Sequence, residues 1–180
     1  MLQITVPALE QWDEENQEFI NTKAQTLTLE HSLVSLSKWE AKWHKPFLST
    51  KEKTYEETMD YIKCMTLTQN VDPNVYKALS NENIHAVNKY IEDPMTATTF
   101  GEQKKGRKGS ETITSELIYY WMISLNIPVE FQKWHLNRLL TLIEVCNRKN
   151  EPPKKMGQGD IMKQNAVLNA ARRKKLNTRG

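Results

Sequence analysis

ITSELIYYWMISLNIPVEFQKWHLNRLLTLIEVCNRKN, residues 113–150, is the most informative stretch of the chain. Ile113, Leu117, Ile118, Trp121, Met122 and Leu125 recur at three- and four-residue steps, which predicts one face of a helix over Thr114–Leu125. Asn126 suits the end of that helix because asparagine tolerates the left-handed conformation. Pro128 suits the first turn of a second helix, where its missing N–H is not needed, and Glu130 places a negative charge near the positive end of that helix dipole. Phe131, Trp134, Leu139, Leu142, Ile143 and Cys146 form the second apolar stripe, and Pro152-Pro153 stops it. So short a link makes the two helices antiparallel neighbours. They are the expected centre of the core.

Outward from this pair, the chain is expected to be mainly α. A compact helical domain over residues 1–150 carries a small N-terminal sheet, and residues 151–180 form a basic linker and C-terminal helix. Leu2, Ile4 and Val6 alternate with Gln3 and Thr5, the pattern of a short strand ending at Pro7. Ala8–Glu18 holds Glu10, Asp13, Glu14, Glu15 and Glu18 around Trp12 and reads as a solvated loop or short helix, or as an acidic interaction face. Phe19–Glu30 reads as a strand able to pair with the first.

A helix is expected from His31 or Ser32 to Lys45. Trp39 and Trp43 lie four residues apart on one of its faces, which suits either a packed core or a partner-binding hot spot, where tryptophan is enriched. Thr54 and Glu57 have the spacing of a capping box and start a helix to Thr66, with Tyr55, Met59, Ile62 and Met65 on one side. Asp72-Pro73 opens a short helix to Leu79. Ser80 caps another, with Ile84, Val87 and Ile91 inward. Met95–Phe100 is β-prone and reads as an edge strand. Gly101–Gly109 reads as a flexible loop; its three glycines and four basic residues lack the order of a phosphate-binding P-loop. Asp160 is placed to cap a last helix, Ile161–Leu176, with a thin apolar line through Ile161, Leu168 and Ala171.

Charge is unevenly spread. Residues 148–180 hold 10 Lys/Arg and 2 Asp/Glu, leaving 15 and 20 for the other 147, so the tail carries about +8 and the body about −5. This predicts a C-terminal arm that meets something acidic. Arg172, Arg173, Lys174 and Lys175 are its candidate contacts. They suit nucleic-acid phosphates in a salt-dependent way, but the tail has no aromatic residue to stack on bases. They equally suit an acidic groove on a protein.

No run approaches the ~18–20 apolar residues of a membrane span, and the N-terminus lacks the pattern of a signal peptide. A cytosolic protein without membrane contact is expected. Cys64 and Cys146 read as buried thiols in a reducing compartment. The four histidines have no partners at zinc-site spacing, and His135 reads as a packed or hydrogen-bonded residue. No nucleophile motif, dinucleotide fingerprint or calcium loop is present. Neither an enzyme nor a cofactor or metal is expected.

Three runs, EHSLVSLSKWEAKWHKPF (30–47), ELIYYWMISLNIPVEFQKWHLNRLLTLIEVCN (116–147) and AVLNAARRKKLNTRG (166–180), together resemble proteins encoded among the tail genes of tailed bacteriophages, the phage tail assembly chaperones. The resemblance implies a non-enzymatic protein in the cytoplasm of an infected bacterium. It would hold the long, aggregation-prone tape measure protein in solution until tail tube subunits polymerise around it. The body would grip the tape measure through apolar positions, with Trp12, Trp39 and Trp43 as candidates, and the basic tail would recruit the tube protein. Self-association is a further expectation. The competing readings are a structural virion protein such as a head–tail connector component, and a nucleic-acid-binding module using the basic tail.

Overall fold

The computed structural model describes residues 1–13, 17–49, 52–100, 112–151 and 157–177. The chain divides into two units, Met1–Asn147 and Arg148–Gly180. The fold is mainly helical, with small antiparallel pairing near the N-terminus.

The first unit opens with strands β1 (Leu2–Val6), β2 (Leu9–Asp13), β3 (Glu18–Thr22) and β4 (Gln25–Leu29). The outer pair β1–β4 and the inner pair β2–β3 keep one register. Leu2 opposes Leu29 and Val6 opposes Gln25; then, after a two-residue gap on each side, Leu9 opposes Thr22 and Asp13 opposes Glu18. They form one hairpin interrupted at Pro7, which has no N–H to give to a ladder. The expected strand at Leu2–Val6 and its pairing partner are therefore present. Two expectations are corrected. Ala8–Glu18 contains strand β2, because its partner β3 supplies the pairing that local charge does not suggest. Phe19–Glu30 is split into β3 and β4.

Helix α1 (Leu33–Trp43) follows, with Ser32 accepting from the Ser35 backbone N–H and Ser35 returning a bond to Ser32. It ends at His44 in the left-handed conformation, φ 52°. A non-glycine residue there costs roughly 1 kcal/mol, so His44→Gly is expected to raise stability by about 1 kcal/mol, measured as a higher urea midpoint. Helix α2 (Tyr55–Met65) has the expected capping box: Thr54 Oγ1 accepts from Glu57 N, and Glu57 accepts from Thr54 N at 2.8 Å. Met59, Ile62 and Met65 are buried as expected, but Tyr55, at the first position of the helix, is exposed. A 3-10 turn, Pro73–Ala78, and helix α3 (Asn81–Glu92) capped by Ser80 fall where proline and cap signals placed them.

Met95–Phe100 is not a strand. Met95 has φ 49°, Asp93 Oδ1 accepts from its N–H, and Thr96 Oγ1 accepts from the Thr98 N–H, so local turns occupy these backbone groups. The Gly101–Gly109 loop lies outside the described residues.

Helix α4 (Ser115–Ser124) matches the first half of the 113–150 reading, and Asn126 adopts the expected left-handed conformation at φ 54°. The second half differs. Pro128 opens only a 3-10 turn, Val129–Lys133; His135 then makes an isolated β-bridge with Ser32, and helix α5 (Leu136–Asn150) starts after it. The bridge draws the chain into extended form just where the helix was expected to continue. The Leu136 N–H donates to the His31 carbonyl at 2.7 Å. Nor is the α4–α5 pair the centre of the core. Helix α4 packs on α1, and α1 also packs on α2. Leu33, Leu36 and Trp39 of α1 are fully buried with Leu27, Leu29, Ile62 and Met65, and Ile118, Met122, Leu136, Leu139 and Ile143 close over them. Ile113 is exposed.

In the second unit, helix α6 (Gln158–Leu176) begins three residues earlier than expected, after Gly157, and Asp160 lies inside it. Its Ala, Leu, Lys, Arg and Gln content favours helix. Pro152-Pro153 lies outside the described residues.

Candidate partner-binding surfaces

Trp39 and Trp43 are brought together by α1, with ring centroids 6.1 Å apart. Trp39 is 1% exposed, its indole N–H donates to the Glu57 carbonyl at 2.9 Å, and Phe47 meets it edge-on at 5.1 Å. It is a core residue, with almost none of its surface in water. Trp43 is half-buried. Its indole N–H donates to Asp60 Oδ2 at 3.0 Å, and the Lys42 and Lys45 ammonium groups lie 5.8 and 5.7 Å from its ring centre. Lys42 also pairs with Asp60, and Lys45 with Glu57. Burial pushes the Asp60 carboxyl up, but the hydrogen bonds from Lys42 and Trp43 outweigh it and hold the group below the usual carboxylate range. The hydrogen bond from Lys45 and that from the Thr54 backbone lower Glu57 in the same way. The exposed edge of Trp43 is therefore framed by matched charges.

A cleft of about 400 Å³ opens beside this cluster, lined by Trp39, Lys45, Ser49, Lys53, Glu57 and Thr112 among others. Lys45 is paired with Glu57, and the Lys53 ammonium sits 4.3 Å from the Phe47 ring centre. Burial lowers the Lys53 pKa while Glu57 opposes that shift. The cleft's charges thus answer one another.

Trp12 lies on the outer part of the hairpin, 52% exposed, opposite the 64% exposed Phe19 with ring centroids 6.4 Å apart. Cross-strand aromatic pairs contribute to sheet stability, but this one leaves most of both rings in water. Arg172, Arg173, Lys174 and Lys175 all lie in the C-terminal part of α6, exposed, at the negative end of the helix dipole. Every residue of α6 whose side chain is described is exposed, including Ile161, Met162, Val167, Leu168 and Leu176.

Sequence reasoning missed Phe19 and the outer face of α4. The run Leu117-Ile118-Tyr119-Tyr120-Trp121-Met122-Ile123 is apolar on every side of the helix, so one face had to remain uncovered unless α4 were fully enclosed. Ile118 and Met122 point into the core; Tyr120 and Ile123, three residues apart on the other side, are 63% and 76% exposed. That all-round apolarity was the available signal.

Titratable groups in the interior serve the fold. Glu40, 7% exposed, accepts from the Phe47 N–H at 2.8 Å and from the Ser115 N–H at 2.7 Å. His31 and His135 stack edge to face at 5.0 Å, both buried. His135 Nε2 donates to the Tyr90 carbonyl at 3.0 Å, consistent with its reading as a hydrogen-bonded residue, and its Nδ1 is buried without a partner. Cys64 and Cys146 are free thiols, each half-buried; burial, with Asp60 nearby, pushes the Cys64 thiol up. Among the described residues, no group of three His, Cys, Asp or Glu side chains is placed to hold a metal ion, and no helix is long and apolar enough to cross a membrane.

Comparison with protein-family models, curated proteins and solved structures found no match for the chain.

Proposed function

We propose that this protein is a non-enzymatic assembly factor of the tail assembly chaperone type, holding an apolar helical segment of the tape measure protein while its basic helix engages the tail tube subunit. The observation that carries the reading is the uncovered apolar face of α4. Tyr120 and Ile123 project into solvent from a helix whose opposite side is anchored in the core. Exposed apolar patches of this kind mark interaction surfaces, and a helical partner laying its own apolar side against them is a common mode of recognition. The exposed Arg172, Arg173, Lys174 and Lys175 of α6 supply a second contact of different chemistry: cations for an acidic protein surface.

The test is a tagged pull-down from cells producing the phage proteins, treated with nuclease, with bound proteins identified by mass spectrometry. Recovery of the tape measure protein, and absence of this chain from purified particles, is expected. Tyr120→Ser/Ile123→Ser should reduce that recovery at least about tenfold without lowering the melting temperature, since both residues are exposed. Retention of the chain in finished particles would make it a virion component, and loss of every partner on nuclease treatment would make it a nucleic-acid-binding protein. Either result ends the chaperone reading.

A further inference from the structure

Two features of this chain are opposite in charge and alike in carrying exposed apolar side chains. Residues 9–22, which contain β2 and β3, hold five acidic residues (Glu10, Asp13, Glu14, Glu15 and Glu18) and no lysine or arginine. Helix α6 holds five basic residues (Lys163, Arg172, Arg173, Lys174 and Lys175) against the single acidic Asp160. We propose that α6 of one molecule docks on the outer hairpin of a second copy, joining chains head to tail.

The geometry of each feature suits the other. Side chains two apart on a strand share a face, so Glu10 and Trp12 of β2 lie on the same side. Across the ladder, Asn21 and Phe19 complete that face. It presents two exposed aromatic rings with a carboxylate beside them. On α6, residues four and seven apart lie on one face. Leu168 therefore shares a face with Arg172 and Lys175, and Ile161 extends it by two turns. This helix face presents aliphatic side chains with cations beside them. Leu168 against the aromatic pair brings Arg172 to the carboxylate of Glu10 or over a ring, where a guanidinium is attracted to the π face. A second copy is the favoured occupant because both halves are present in equal number in one chain, whose body and tail carry net charges of opposite sign. A contact between different surfaces of identical molecules is heterologous, so it propagates into a ring or an open chain of copies. This inference does not depend on the tail-assembly reading, and its test contains no phage partner.

The test is sedimentation velocity on the nuclease-treated, full-length protein across a range of concentrations. The parent is expected to form species larger than a monomer at about 50 mM salt and to dissociate toward monomer at about 500 mM, where charge pairs are screened. Two charge-reversed variants are then compared, Glu10→Lys/Asp13→Lys/Glu18→Lys and Arg172→Glu/Arg173→Glu/Lys174→Glu/Lys175→Glu. Each alone carries a hairpin and a helix of like charge and is expected to stay monomeric. Mixed in equal amounts they regain opposite charges at both contacts and are expected to associate again. Trp12→Ala/Phe19→Ala changes no charge and touches only exposed rings; it should weaken association about tenfold, and it keeps the test decisive if a reversed variant loses its circular dichroism. A parent that stays monomeric at low salt would overturn the proposal, whether α6 is free or held within its own molecule. So would association that survives both reversals, or reversed variants that remain monomers when mixed.

Discussion

Replacing Glu40 with alanine should lower the unfolding free energy by about 2–6 kcal/mol, because two buried backbone donors then lose their acceptor. Glu40 extends from α1 with one oxygen on the N–H of Phe47 and the other on the N–H of Ser115, the first residue of α4. The first N–H groups of a helix have no partner within it. Thr114 satisfies a later one, that of Leu117, at 3.4 Å. Glu40 therefore completes the cap of α4 from another helix and places a negative charge at the positive end of its dipole. Glutamine keeps one good acceptor and turns an amide N–H₂ toward the other donor, so Glu40→Gln should recover only about half of the loss. Urea titration followed by tryptophan fluorescence and by circular dichroism measures both. A Glu40→Ala loss under about 1 kcal/mol would show that water replaces the carboxylate easily and that this cap matters little.

The second large effect is acid destabilisation, and it begins above the carboxylate range. Burial, reinforced by His135, lowers His31 to about 3 from an ordinary value of 6.5. Burial likewise lowers His135, opposed by its bond to the Tyr90 carbonyl and by Glu30 and Asp93. The Tyr61 hydroxyl lies 2.5 Å from His31 Nδ1 and donates to it in the neutral tautomer that carries its proton on Nε2. Burial raises the Tyr61 pKa, so this hydroxyl keeps its proton. Between pH 6.5 and about 3 the unfolded chain binds a proton at His31 that the folded chain refuses. Stability is therefore full above pH 6.5 and falls as pH drops through that window. The linkage amounts to about 2 kcal/mol from His31 alone by pH 5. Asp60 and Glu57, with lowered folded values, add their loss only as pH falls below the ordinary carboxylate range. Urea midpoints at pH 7.5 and pH 5 should differ accordingly, and His31→Gln should flatten that interval even if it lowers stability throughout. Equal midpoints for the parent at the two pH values would mean that the pair is hydrated and titrates freely.

These two predictions also mark where the sequence stops being readable. The Thr54–Glu57 capping box, the Asn126 helix end, the Asp72-Pro73 and Ser80 starts and the β1 alternation depend on residues a few positions apart, and each stands in the structure. Glu40 sits in KWEAKWHK and resembles any charge on a solvated helix face; only the arrival of Ser115 gives it a buried role. The misplaced start of α5 has the same origin, since the bridge from His135 to Ser32 is invisible in NIPVEFQKWHL. The charge of the acidic run around Trp12 points to a loop or short helix, and the register with β3 overrides that. For the candidate surfaces, composition pointed to the basic helix and the tryptophans. Burial then separated exposed Trp12 from enclosed Trp39, a distinction that two tryptophan codes in a sequence do not contain.

The junction between β4 and α1 also bears on how the protein is made. Leu33 and Leu36 are fully buried in one core with Leu136, Leu139 and Ile143, and the Ser32–His135 bridge fastens the two regions together. On a ribosome the hairpin, α1 and α2 leave the exit tunnel long before α5 exists. Closing so long a loop carries an entropic cost that only the finished contact offsets. The N-terminal half therefore keeps apolar positions open to solvent until α5 has emerged, and the body reaches its final packing only then.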